Sequence, residues 1–247
     1  ASFYCRRLMN RKLPSKDNDN DYIWRAGSAC VDITPQEPLP LAGWATKRIS
    51  TGVLRHIHAG FLALSDSEGN TSLLITCDLL GLTRRFVHRI TKSIAQEFGL
   101  ERRHVILNSS HNHAGPMVDD LLHLYFELTP VEKAAVVRYT RWLEQRLLEG
   151  ARLAFAVMQP AQLYFEQGLC GFAVNRRRDV RSRPDTPDAR SWKQTVDQDV
   201  PVLIVQSLQG ELRTVVFGYA CHPTTSYSTQ INGDWPGVAQ AVLREYY

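Results

Sequence analysis

His58-Ala-Gly-Phe-Leu-Ala-Leu64 and Thr71-Ser-Leu-Leu-Ile-Thr-Cys77 are two short apolar runs separated by the turn-forming segment Asp66-Ser-Glu-Gly-Asn70. Runs of this length flanking such a turn predict antiparallel neighbours. Beyond them, Phe86, Val87, Ile90, Ile94 and Phe98 recur at the spacing of an amphipathic helix over 83–98, and Gly99 stands where a left-handed residue ends it. His104-Val-Ile-Leu-Asn108 is the next short strand. A hairpin running into a strand, helix, strand unit predicts an α/β fold: a mixed β-sheet system flanked by helices, in a single domain.

Working outward, Arg25 to Ile33 alternates as a strand and stops at Thr34-Pro35, after which Gln36-Glu-Pro-Leu-Pro40 opens a loop that carries Gly43. Residues 1–22 are polar and aperiodic and predict a flexible leader, with the folded domain spanning 23–247. On the other side, Pro130 to Val157 is the longest helical pattern, with Thr129 as cap and Pro130 in the first turn. Ala161 to Phe165 reads as a strand and Arg176 to Gln198 as an irregular charged loop. Val200 to Ser207 and Leu212 to Ala220 form a second hairpin around Leu208-Gln-Gly210. A last helix starts near Pro236 with Asp234 as its cap, and the expectation is that the domain is cut short at Tyr247.

The 247 residues are 44% hydrophobic, enough for a sizeable core. A net charge of +4 lies mainly in Arg6, Arg7, Arg11 and Lys12 and between Arg176 and Arg183, with no recognition element, so nucleic acid is not an expected partner. The 5 cysteines are scattered and show no Cys-x-x-Cys spacing, which argues against both a disulfide framework and a cysteine zinc cluster. The apolar runs are far shorter than the roughly 20 residues of a transmembrane helix. Oligomeric state is left open.

Three histidines carry the chemistry: His111 and His113 in Ser110-His-Asn-His-Ala-Gly-Pro116, and His222 in Gly218-Tyr-Ala-Cys-His-Pro223, each following an apolar run that reads as a buried strand. Imidazole is the commonest protein ligand for zinc, and a catalytic zinc takes about three protein ligands from distant segments. In extended backbone, residues two apart face the same side, so His111 and His113 are expected to share a cavity with Asn112 turned away and Ser109 or Ser110 orienting an imidazole. Of the remaining histidines only His56 is placed to reach such a site. His88, His104 and His58 read as ordinary surface or core residues, as does His123 in an apolar helical stretch. Asp78 and Asp234 are the acidic candidates for a further ligand or an imidazole orienter, and Arg176 is a candidate clamp for a carbonyl or carboxylate.

Several segments together resemble the N-terminal amidohydrolase domain of the neutral ceramidases: Ala29-Cys-Val-Asp-Ile-Thr-Pro35, Leu41-Ala-Gly-Trp44, Thr76-Cys-Asp-Leu-Leu-Gly81, the two histidine segments, Val174-Asn-Arg176 and Gly233-Asp234. The resemblance implies zinc-dependent hydrolysis of an N-acyl lipid such as ceramide to a fatty acid and sphingosine. It implies His111 and His222 as zinc ligands, His113 and Arg176 as catalytic or substrate-contacting residues, and Gly43 as a residue lining the substrate pocket. It also implies a secreted or periplasmic setting, and a glutamate and a tyrosine completing the zinc shell beyond Tyr247. The segment after His113, Ala-Gly-Pro-Met-Val-Asp-Asp120, departs from that family's glycine-rich version.

Two other readings compete. A binuclear hydrolase also opens on His-x-His, but Gly115 and Pro116 stand where the metallo-β-lactamase pattern needs aspartate and histidine, and an amidohydrolase barrel carries its pair on the first strand. A fragment that binds metal or lipid without turnover keeps the same histidines.

Overall fold

The computed structural model describes residues 24–121, 125–175 and 196–247. The expected leader, His123, Arg176 and most of the charged loop after it lie outside the described residues. Among the described residues seven strands run in the order β4-β3-β2-β1-β5-β6-β7. They are β1 Trp24–Asp32, β2 His58–Ser65, β3 Thr71–Cys77, β4 Val105–Ser109, β5 Gln159–Leu169, β6 Asp199–Gln206 and β7 Leu212–Phe217. Among the described residues the three α-helices are α1 Arg84–Phe98, α2 Pro130–Ala156 and α3 Asp234–Tyr246. All pairings are antiparallel except β3 with β4, the pair joined through α1, so the sheet is mixed.

Local chemistry sets the helix ends. The Thr83 side chain accepts from Phe86 N at the start of α1, and Gly99, at φ 69°, closes it with its N–H on Ala95 O. Thr129 and Glu132 form a reciprocal capping box at α2, with Pro130 in the first turn. α3 departs from expectation: Asp234 is its first residue rather than its cap, and Gly233 precedes it without a side-chain cap. Strand β5 runs to Leu169, four residues past the expected end, because it bridges two partners, β1 at its start and β6 along the rest. β7 ends at Phe217, before the expected Ala220.

Strands β1 to β3 are covered on both faces, which is why β2 and β3 read as continuous apolar runs rather than alternations. Phe61, Ala63, Leu73 and Ile75 pack with Phe86, Ile90 and Ile94 of α1 and Leu143, Leu147 and Ala151 of α2. On the opposite face Ala26, Leu62, Ala161 and Val205 form a second core, joined by Leu74 of β3 and Val216 of β7. That last contact has a topological meaning. β7 is three strands removed from β1 in the sheet, yet Thr214 Oγ1 lies 2.7 Å from Ser28 Oγ of β1. The sheet rolls over on itself, and a cavity of about 790 Å³ remains between β1–β3, β7 and α3.

Candidate metal centre

The roll of the sheet creates the site. His111 follows β4 and His222 follows β7, the two opposite edge strands. In a flat sheet of seven strands these edges would stand about 29 Å apart at the usual spacing. Instead the ring centroids of His111 and His222 are 5.1 Å apart, and His113 lies 5.2 Å from the first and 4.8 Å from the second. The nitrogen donors of the three all fall within 4.8 Å of one another, the one such group of three or more histidine, cysteine or acidic residues among the described residues.

Neither supporting strand is buried as expected. β4 alternates, with Val105 buried and Ile106 58% exposed, because it is an edge strand, and β7 is half-buried apart from the exposed Arg213. Its last residue, Phe217, lies five positions before His222.

His111 is held by the continuation of the β3–β4 pairing past the strand end: Ser110 N and His111 N donate to Cys77 O and Leu79 O, both at 2.9 Å. Its backbone adopts φ 64°, a conformation rare outside glycine and asparagine. Its Nδ1 lies 2.9 Å from Leu80 O, and a carbonyl only accepts, so Nδ1 carries the proton and Nε2 presents a lone pair. This carbonyl takes the orienting role expected of Ser109 or Ser110, and the Ser110 hydroxyl is buried without a partner among the described residues. Asn112 is turned into the core, fully buried, with Oδ1 accepting from Ala114 N at 3.1 Å, an Asx turn that sets up the bend to Gly115-Pro116.

His113 is the inner member. Its carbonyl accepts from Trp44 Nε1 at 2.8 Å, its ring donates to the Gly43 backbone, and Nε2 is buried with no partner among the described residues. Burial first, and then the neighbouring His222 and His111, hold its pKa below the ordinary imidazole value, which keeps it neutral. Gly43 is required here for space as well as conformation: at φ 92° it would place a Cβ only 2.6 Å from His113 Cγ and Nδ1. The loop that carries Gly43 is clamped to the histidine segment by Ala42 N to Gly115 O at 3.0 Å and Met117 N to Pro40 O at 2.8 Å.

His222 is exposed, with Nδ1 3.1 Å from Thr224 Oγ1. Its arm is fixed on one side by Trp235 Nε1 donating to Cys221 O at 3.1 Å. On the other side Asp234, buried and at φ 52°, gathers Thr225 Oγ1 at 2.8 Å, Ser226 N at 2.9 Å and Trp235 N at 2.7 Å. Asp234 is therefore a knot between the His222 arm and α3, neither a cap nor a member of the donor group. Asp78 is likewise occupied: its carboxylate accepts from His58 N at 3.0 Å and Gln240 Nε2 at 2.9 Å, and burial pushes its pKa up. It ties the end of β3 to α3. His56 Nδ1 meets Asp32 Oδ2 at 2.5 Å and stays outside the donor group. The large cavity behind α3 is lined by Ser110, Cys221 and Trp235 but by none of the three histidines.

Trp44, Leu80, Thr224 and Thr225 shape the site without having been singled out by sequence. Trp44, Leu80 and Thr224 left a signal only as members of the segments that carry the family resemblance, and Thr225 left none. Leu80 meets His111 where β3 and β4 end side by side, and Thr225 meets Asp234 across a loop.

The donor set suits a borderline metal ion: three imidazoles, two of them with Nδ1 engaged by the protein or by a hydroxyl, and one with a buried Nε2 otherwise left unsatisfied. Among the described residues, no helix is long and apolar enough to cross a membrane.

A ceramidase solved in complex with C2 superposes with a TM-score of 0.71 at 19% identity, over 89% of this chain and 34% of that one. Neutral ceramidase from Pseudomonas aeruginosa gives 0.70 at 19% identity, over 89% of this chain and 35% of that one. At this identity the likeness establishes the fold, and the chain spans about a third of the length of the ceramidases it matches. A search of curated proteins finds no match. The family model for the N-terminal part of the neutral/alkaline non-lysosomal ceramidases matches residues 24–247, so the chain belongs to that family.

Proposed function

We propose that the chain provides the histidine half of a zinc amidohydrolase site, and that the protein hydrolyses a linear amide, an N-acyl lipid such as ceramide, to a fatty acid and sphingosine. The observation that carries this reading is the convergence of His111, His113 and His222 with donor atoms within 4.8 Å of one another. His111 and His222 would hold the ion. When bound, zinc supplies Lewis acidity, polarising a carbonyl and making water nucleophilic near neutral pH.

The chain's own residues supply the rest. Leu80 O and Thr224 Oγ1 orient the two ligand rings. His113, held neutral and with its free Nε2 facing the other two rings, can accept a proton from the attacking water and return it to the leaving amine, a contribution of about 10²-fold or more. Gly43 keeps room for that ring. Arg176 retains the proposed role of clamping the substrate carbonyl, and the remaining zinc ligands are proposed to come from sequence beyond Tyr247.

Elemental analysis of the purified chain tests the centre directly. One zinc per chain is expected in the wild type, with binding weakened about 100-fold or more in His111→Ala and in His222→Ala. Unchanged zinc content in both variants would overturn the assignment. Turnover of a short-chain fluorescent ceramide by the chain alone or only by a longer form then separates an active domain from a binding fragment.

A further inference from the structure

Past the strand ends, the supports of His111 and His222 are joined a second time, through α3. On one side the 77–80 segment carries His111: Cys77 O and Leu79 O accept from Ser110 N and His111 N, and Leu80 O lies 2.9 Å from His111 Nδ1. Asp78 stands in the middle of that segment, and its Oδ1 accepts from Gln240 Nε2 of α3 at 2.9 Å. Its Oδ2 lies against the start of the same helix, where a Cβ on Gly233 would come within 3.3 Å of it. On the other side Asp234 and Trp235, in the first turn of α3, hold the His222 arm at Thr225, Ser226 and Cys221. One helix therefore touches the supports of both histidines.

The weight of this link depends on what else keeps α3 in place. A helix seated by packing buries an apolar stripe along its length. Of the 13 residues of α3 only Asp234, Pro236 and Gly237 are buried, Val238 and Val242 are nearly half-exposed, and the cavity of about 790 Å³ lies behind the helix. Its tethers along the sheet are polar instead. Gln240 meets Asp78, and one turn further on Arg244 Nη2 lies 3.3 Å from both Gln240 Oε1 and Cys30 Sγ. Gln240 is the joint of this row, donating to the carboxylate and accepting from the guanidinium. A hydrogen bond to a carboxylate is stronger than one between neutral groups, so the contact with Asp78 governs where the helix sits.

We infer that Asp78 and Gln240 are positioning residues: through α3 they set the separation of His111 and His222, and with it the affinity of the centre for its ion, an inference that rests on the zinc reading. Both act through the supports of the two rings. Breaking the pair lets the His222 arm drift from the His111 support while the sheet stays folded.

The pair can be reversed, which gives the test. Asp78→Asn alone sets an amide donor against Gln240 Nε2, and turning Gln240 over would set that donor against Arg244 instead. Gln240→Glu alone sets two carboxylates together. Combined, the two changes restore the hydrogen bond with donor and acceptor exchanged, keep acceptors for His58 N and Arg244, and leave the net charge unchanged. Zinc affinity of the full 247-residue chain is measured by competition with a chromophoric chelator, and hydrogen exchange is followed on the zinc-free samples. Each single variant is expected to bind zinc about tenfold more weakly, and the double variant within about twofold of wild type. In the zinc-free chain the amides of Ser226 and Trp235, which Asp234 holds, exchange about tenfold faster in the single variants and at the wild-type rate in the double, with β2 unchanged throughout. Gln240→Ala, which removes the tether without opposing like groups, repeats the single-variant result. The inference is overturned if the single variants bind zinc as wild type does, or if the double variant is no better than the weaker single. It is also overturned if β2 exchanges faster together with the arm, since the pair would then hold the fold and not the site. A wild type that takes up no zinc sinks the hydrolase reading, whereas rescue of the arm's exchange in the double variant still establishes that the pair places the arm.

Discussion

At the scale of single residues, the site depends on a few positions that accept an unusual backbone to let an imidazole stand where it does. Gly43 is the sharpest case, because two independent penalties fall on the same substitution. At φ 92° an alanine is strained by about 1–3 kcal/mol, and its Cβ would lie 2.6 Å from the His113 ring. Gly43→Ala should therefore lower unfolding stability by about that amount in urea titrations, and should weaken zinc binding as His113 is pushed toward the ligand rings. A variant with wild-type stability and affinity would show that the loop moves freely, contrary to its hydrogen bonds to Gly115 and Met117. Asp119 illustrates a charge used for structure instead. Its carboxylate takes Arg85 Nε at 3.1 Å and Nη2 at 2.6 Å together with Thr83 Oγ1 at 2.9 Å, and the Arg85 hydrogen bonds hold its pKa below the ordinary carboxylate value. A depressed folded pKa stabilises above the unfolded value, about 3.9 for aspartate, and that stability is lost as pH falls through the folded value. Because the Arg85 side chain is 62% exposed, Asp119→Asn should cost only about 1 kcal/mol at pH 7. The deficit should shrink from about pH 5 downward in acid unfolding curves, and a deficit independent of pH would rule out the ion pair as its source.

At the scale of elements, what was legible in sequence was what local chemistry decides. Thr83 and Gly99 bound α1, and Thr129, Pro130 and Glu132 begin α2, because caps and turn conformations depend on residues within one turn. The hairpins β2–β3 and β6–β7 were legible for the same reason. The extension of β5 was not, since it is fixed by β1 and β6, partners far away in sequence, and the knot at Asp234 was not, since an aspartate just before a helix reads first as its cap. The approach of α2 to β1 belongs to this second class. Gly27 sits in a plain strand pattern, yet a Cβ there would lie 2.1 Å from Ala154 O and 2.9 Å from Met158 N. Both obstacles are backbone, so no rotamer change relieves them, and α2 must move away from the sheet. Gly27→Ala should destabilise by about 3 kcal/mol in chemical unfolding, the upper end for overpacking, even though alanine suits a strand no worse than glycine. A cost under about 0.5 kcal/mol would mean that the helix end is not seated on β1 as described.

At the scale of the whole molecule, the donor group is a consequence of sheet closure. His111 and His222 ride on opposite edges of seven strands, and the contacts that bring the edges together are few: Thr214 to Ser28, Val216 against the second core, and the 229–232 segment laid on Gly52, Leu54 and Ala114. The meeting of the two histidine segments was therefore expected from ligand chemistry and from the resemblance, not from any local pattern, since strand order and roll leave no local signature. An ion held by both edges would act as a clasp on the rolled form and would find no such site in the unfolded chain. At a free zinc concentration of 100 times Kd the linkage is worth about 2.7 kcal/mol. For a chain of this length that corresponds to a rise in Tm of about 5–10 °C. The rise should saturate with zinc and reverse with a chelator. It should disappear in His111→Ala and in His222→Ala alike, because either loss opens the clasp, and persist in Asp119→Asn, where the edges are intact. If His222→Ala kept the full rise, the ion would be bound by one edge alone, and the convergence of β4 and β7 would have no part in holding it.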